Sequence, residues 1–169
     1  MQGLIRLILL ALTALHLWPA AFAQPPSDFR MTVISEPIHM ADNIDQLRLD
    51  INAQGAVDLH VFRDGSGKIW PDQTVSLSDA NMATLFAAIT ENEFFGLDDV
   101  YGDQEVFGGD KAIIVITANG RTKEVITVNI KVTDFDDIIR TLNELLPADR
   151  KVYYNALSPY ASDYKEVKR

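Results

Sequence analysis

Every second residue is apolar in residues 47–51 and again in residues 57–61. This period of two is typical of strands with one buried face. Residues 53–55, which end in Gly55, supply a turn between the two stretches, so the pattern predicts an antiparallel hairpin. Shorter extended segments are predicted at residues 68–70 and 74–77.

Two later stretches have the spacing of amphipathic helices. The first contains Met82, Leu85, Phe86 and Ile89, and Ser78 stands before it as an N-cap, so we expect a helix that ends near residue 91. The second helix is predicted from the apolar residues that follow its candidate caps and precede Pro147. Those apolar residues are Phe135, Ile138, Ile139, Leu142, Leu145 and Leu146, and the candidate caps are Thr133 and Asp134.

A second hairpin is predicted between the helices. Residues 112–117 are apolar on both faces, and residues 121–130 are rich in Val, Ile and Thr. Asn119-Gly120 between them fits a type I′ turn, which requires positive φ at both positions. A two-residue turn here places Ile113 opposite Ile126 and Ile114 opposite Val125.

These elements predict an α+β fold with two layers: an antiparallel sheet of four to five strands and two helices on one face. The expected organisation is a signal peptide (1–23), a linker (24–46), a single domain (47–147) and a Tyr-rich polar tail (148–169). Within the linker, residues 31–34 have the composition of a short strand that Pro37 would end.

The first 23 residues predict export. Arg6 precedes an apolar run, and Ala21-Phe22-Ala23 fits a small-x-small cleavage site, so we expect cleavage after Ala23 and a periplasmic or secreted protein. The alternative, a membrane anchor, is disfavoured because the run is short for a bilayer and Pro19 interrupts it. A lipid anchor would require a cysteine, which the chain lacks.

Composition excludes several classes of function. The chain has no cysteine, so it has no disulfide and no thiolate, and this favours a bacterial envelope over a small disulfide-stabilised scaffold. The net charge is −9, and removal of residues 1–23 takes away one basic residue and leaves about −10. Such a charge argues against nucleic acid and anionic lipid as partners, and we expect no stable membrane anchor after cleavage.

The order of these elements resembles a family of exported bacterial domains of unknown function. The similarity covers roughly residues 47–146 and includes the phrase Glu93-Phe94-Phe95-Gly96-Leu97-Asp98-Asp99-Val100-Tyr101. Many members carry a Cys-x-x-x-Cys-Pro segment before the first hairpin, which this chain lacks. The resemblance implies a fold and no activity.

Five carboxylates between residues 98 and 110 are candidate calcium ligands: Asp98, Asp99, Asp103, Glu105 and Asp110. Their spacing does not match an EF-hand, and a solvated loop is the competing interpretation.

Other candidate catalytic or metal-binding residues have less support. Asp58 and His60 share a strand face, with His39 the other histidine of the expected mature chain, and an exposed His beside a carboxylate is usually not a site. Gly65-Ser66-Gly67 lacks the spacing of a nucleophile elbow.

The tail contains four of the five tyrosines, Tyr153, Tyr154, Tyr160 and Tyr164, and several basic residues. Tyrosine is favoured in interfaces, which makes the tail a candidate recognition segment. The alternative is that Tyr153 and Tyr154 pack on the domain while the remainder frays.

No pattern predicts a cofactor. The leading functional hypothesis is a non-catalytic envelope module that binds a protein or peptide, for which the edge of an antiparallel sheet is suited. The alternatives are a small metal-dependent hydrolase that uses residues 98–110, and a structural envelope protein.

Overall fold

The computed structural model describes residues 24–36, 44–63, 75–103, 110–158 and 161–168. The predicted signal peptide, the segment at 68–70, His39, Glu105 and Tyr160 lie outside these ranges.

Nine strands and two helices are present in the described ranges. The strands are β1 (Arg30–Glu36), β2 (Ile44–Asn52), β3 (Ala56–Arg63), β4 (Val75–Ser76), β5 (Val100–Tyr101), β6 (Lys111–Ala118), β7 (Arg121–Val128), β8 (Ile130–Val132) and β9 (Lys165–Val167). The helices are α1 (Asp79–Glu91) and α2 (Thr133–Leu145). The α+β class is therefore confirmed.

The main sheet is larger than predicted. Within the described residues it contains seven strands in the order β4-β3-β2-β1-β6-β7-β5, rather than four to five. All neighbours are antiparallel except β5, which pairs in parallel with β7. The extended segment predicted at residues 74–77 is confirmed as β4. The difference arises because β5 is only two residues long and β1 comes from the segment predicted as a linker.

The linker prediction is wrong for β1, which lies at the centre of the sheet. Val33 stands opposite Leu49 of β2 and Ile114 of β6. The possible strand at residues 31–34 is confirmed and extends to Glu36. Of the three buried residues of β1, Met31 and Val33 are apolar and Ser35 is polar. The alternation of apolar and polar residues is therefore weaker in β1 than the apolar pattern of β6.

Both predicted hairpins are confirmed. The pair β2–β3 is antiparallel, and β6–β7 has the predicted register, with Ile113 opposite Ile126 and Ile114 opposite Val125. Asn119 and Gly120 have φ values of 53° and 71°, as a type I′ turn requires. The Asp28 carboxylate accepts hydrogen bonds from both of their backbone amides, which ties the N-terminal segment to this turn.

The helices begin in different ways. Ser78 caps α1, and its hydroxyl accepts from the Asn81 amide at 3.2 Å. The cap position of α2 is Val132, not Thr133 or Asp134, and it has no side-chain cap. Instead the carboxylate of Asp136 accepts a hydrogen bond from the Val132 backbone.

One face of the sheet forms the core. Alternate residues of β1 and β6 are buried, and their buried side chains join those of α1 and α2 in one apolar cluster. The two helices also contact each other. None of the helices in the described ranges is long and apolar enough to cross a membrane.

Candidate functional site

The carboxylates predicted as calcium ligands are placed in different surroundings. Asp98, Asp99 and Asp103 are exposed, and Asp99 forms an ion pair with Lys123. Asp110 is buried, with 1% of its surface exposed. No group of three or more His, Asp or Glu side chains within the described ranges is arranged to hold a metal ion.

Asp110 instead belongs to a hydrogen-bonded cluster with the tail. The Tyr164 hydroxyl donates to its carboxylate at 2.8 Å, and the Ser158 hydroxyl lies 3.3 Å from the Tyr164 hydroxyl. The Asp110 amide donates to the Asn129 side chain at 2.9 Å. Burial raises the pKa of Tyr164, and raises that of Tyr153 to about 12. Both phenols are therefore protonated at neutral pH and act as hydrogen-bonding groups rather than nucleophiles.

The tail packs against the domain over residues 152–158. Tyr154 is 5% exposed and belongs to the core cluster. Asn143 of α2 bonds both the carbonyl and the amide of Val152, at 2.8 and 2.7 Å. The Asn155 amide group donates to the Ile130 carbonyl and the Thr127 hydroxyl. Tyr153 and Tyr164 are half-buried, so these two of the predicted recognition tyrosines retain some accessible surface.

A charged cluster lies on the opposite face of the sheet. Asp50 accepts hydrogen bonds from the Arg48 guanidinium at 2.8 Å and the Thr32 hydroxyl at 2.6 Å, and His60 is 3.8 Å away. Burial opposes ionisation of Asp50, but the bonds from Arg48 and Thr32 outweigh it and hold its pKa below the ordinary value. This carboxylate is therefore stabilised as an anion, which makes it a poor proton acceptor.

A cavity of about 480 Å³ lies between the end of α1 and the β6–β7 turn, and we call it the Phe95 pocket. Its residues are Phe86, Ile89, Thr90, Glu93, Phe94, Phe95, Gly96, Ala118, Asn119 and Arg121. The Arg121 guanidinium lies 5.0 Å from the centre of the Phe95 ring. The pocket combines aromatic side chains with a few polar and charged groups, a combination that occurs in ligand sites.

Local sequence explains how the pocket is built. Glu93 has φ of 46°, so the chain leaves α1 in a left-handed residue and places Phe94 and Phe95 in a 3-10 turn. Phe94 is fully buried and packs edge-to-face against Phe95, which remains partly exposed. The type I′ turn then positions Arg121 over Phe95. Buried Phe94 therefore anchors the segment, and Phe95 is left to line the cavity.

Strand β7 begins at this pocket with Arg121, and its outer edge is the one on the side of β5. In the described ranges, β5 pairs with β7 only at Ile126 and Thr127. The Ile126 amide donates outward to the Asp99 carbonyl at 2.9 Å. Because backbone groups two residues apart on a strand point to the same side, Thr122 and Glu124 present their amides and carbonyls to this same edge.

The sequence analysis named Phe94 and Phe95 only within the phrase at residues 93–101 and did not identify Arg121. The only available signal was an arginine directly after Asn-Gly. No protein-family model matches this chain, and no curated protein matches it in sequence.

Proposed function

We propose that this protein is an exported, non-catalytic module of the bacterial envelope that binds a peptide segment of a partner protein. The segment adds to the edge of β7 at Thr122–Glu124 and places one side chain in the Phe95 pocket. Strand addition derives its affinity from main-chain hydrogen bonds and its specificity from side-chain pockets.

The observation that carries this proposal is the position of Arg121. It is the first residue of β7 and also lines the Phe95 pocket, so a strand edge and a pocket meet at one residue. The edge residues are charged or polar, which disfavours pairing with arbitrary apolar strands. A partner must therefore match this edge and the pocket together.

We also propose where the protein is located and how its helices lie on the sheet. The sequence pattern of residues 1–23, which predicts a signal peptide, supports a periplasmic or secreted location. The contact between α1 and α2, and their shared core with one sheet face, support both helices covering the same face. In that arrangement the pocket lies at the end of the helical layer, beside the edge of β7.

Selection from a displayed peptide library tests this function, with enriched peptides then measured by fluorescence anisotropy. Thr122→Pro removes an edge amide without changing the charge, and Thr122→Val is the matched control, because both lose the bond between the Thr122 and Thr117 hydroxyls. We expect Thr122→Pro to weaken binding about tenfold or more and Thr122→Val to leave it unchanged. Absence of enriched peptides, or equal binding by both variants, would contradict the proposal.

A further inference from the structure

We infer that the Phe95 pocket recognises the free C-terminal carboxylate of a peptide whose last side chain is apolar. This inference rests on the proposed strand addition. It specifies that the bound segment runs antiparallel to β7 and that its C-terminal residue lies in the pocket. The carboxylate binds Arg121, and the last side chain packs against the partly exposed rings of Phe86 and Phe95.

The direction follows from where the pocket lies along β7. Arg121 begins β7, so a strand added antiparallel to β7 ends beside Arg121, whereas a strand added in parallel begins there. A parallel arrangement would bring an N-terminal ammonium to the guanidinium, and two like charges repel. An antiparallel arrangement brings a carboxylate to the same position, and antiparallel pairing is also slightly more stable per residue.

Arg121 has hydrogen-bond donors available for this role. Within the described ranges its guanidinium forms no ion pair, and it contacts the Phe95 ring. A cation–π contact does not use the N–H groups of a guanidinium as hydrogen-bond donors to an oxygen, so they can form a bidentate bond to a carboxylate. The neighbouring turn amides of Asn119 and Gly120 are already occupied by Asp28, so they do not compete for the ligand.

The remaining lining explains the preference for an apolar last residue. Phe86 and Phe95 are partly exposed and supply apolar surface, and a cavity of about 480 Å³ accommodates a side chain of the size of Leu or Phe. Among the described residues of the lining, Arg121 is the one cation and Glu93 is the one carboxylate. Because one cation can pair with one carboxylate, a second negative charge from an acidic last side chain would face Glu93 unpaired, which favours an apolar last residue.

Two fluorescein-labelled peptides of sequence Gly-Thr-Val-Thr-Val-Phe test the inference, one with a free C-terminal carboxylate and one amidated. Fluorescence anisotropy with the mature protein should show about tenfold tighter binding of the free carboxylate. Arg121→Gln should abolish this preference. Lys151→Gln, which removes a charge from an exposed residue outside the pocket, should retain it, and thermal melting should show that both variants are folded.

Equal binding of the two peptides, or no binding of either at about 1 mM, would overturn the inference. The peptide-library selection tests strand addition independently, because enriched internal sequences would support that function while excluding recognition of a C-terminus. N-acetylphenylalanine distinguishes the source of the carboxylate. If it competes as strongly as the free-acid peptide, the pocket binds a small carboxylate and the inferred peptide ligand is wrong.

Discussion

The Tyr164 hydroxyl donates a 2.8 Å hydrogen bond to the carboxylate of Asp110, across 54 positions of the chain. Asp110 was a candidate metal ligand and Tyr164 a candidate recognition residue, and the structure brings them into one cluster. This cluster holds the C-terminal segment on the domain. The bond therefore assigns both residues to the attachment of the tail.

Tyr164→Phe should lower the free energy of unfolding by about 1–3 kcal/mol, because it removes a donor from a buried carboxylate. Urea denaturation measures the change. Ser162→Ala alters an exposed hydroxyl of the same segment and should have little effect. Equal stability of the wild type and Tyr164→Phe would show that the bond does not hold the tail.

Removal of residues 152–169 should destabilise the protein by about 4 kcal/mol or more. The truncation exposes the surface that Val152 and Tyr154 cover and leaves Asn143 without its backbone partners. Removal of residues 168–169 alone is the control and should leave the melting temperature nearly unchanged. A small effect of the longer truncation would contradict the packed position of residues 152–158.

Asp136 should make the protein less stable as pH rises. Burial raises its pKa to about 7, although the Val132 backbone bond acts in the opposite direction. The folded state therefore binds this proton more tightly than the unfolded state, whose pKa is near 3.8. The contribution of Asp136 is most favourable below about pH 4, declines between about pH 4 and 7, and is constant above that range.

Asp136→Asn should remove this decline and stabilise the protein at pH 8 by about 2–4 kcal/mol. Urea denaturation from pH 4 to 8 measures the effect. Asp134→Asn, in the same turn of α2, is the matched control and should retain the wild-type dependence. The same pH dependence in Asp136→Asn and the wild type would show that another group is responsible.

Gly102→Ala should destabilise the protein more than Gly120→Ala. Both glycines have positive φ, so alanine is strained by about 1–2 kcal/mol at either position. At Gly102 an added Cβ would also lie 2.1 Å from the Val128 carbonyl oxygen, whereas at Gly120 it would meet no atom within 4 Å. Comparison of the two midpoints of urea denaturation isolates the steric part, and similar midpoints would contradict the close approach at Gly102.

Local signals predicted the two hairpins and α1 because turn or cap residues mark where each of these elements begins or ends. Asn119-Gly120 specified a turn and with it the register of β6 and β7, and Ser78 specified the start of α1. The strand β1 was assigned to a linker because its place depends on pairing with β2 and β6, which are distant in sequence. The two-residue strand β5 is too short to show any periodicity.

The sequence by itself determined the two hairpins with their turns, the two helices and the acidic, cysteine-free composition, since each depends on neighbouring residues or on counts. Only the tertiary structure decided that Asp110 is buried beside Tyr164, that Tyr154 enters the core, and that Arg121 lies on Phe95. Each of these relationships joins residues far apart in the chain. The physical reason is that burial and hydrogen bonding are set by the packed fold, and no local pattern encodes which distant side chain satisfies a buried group.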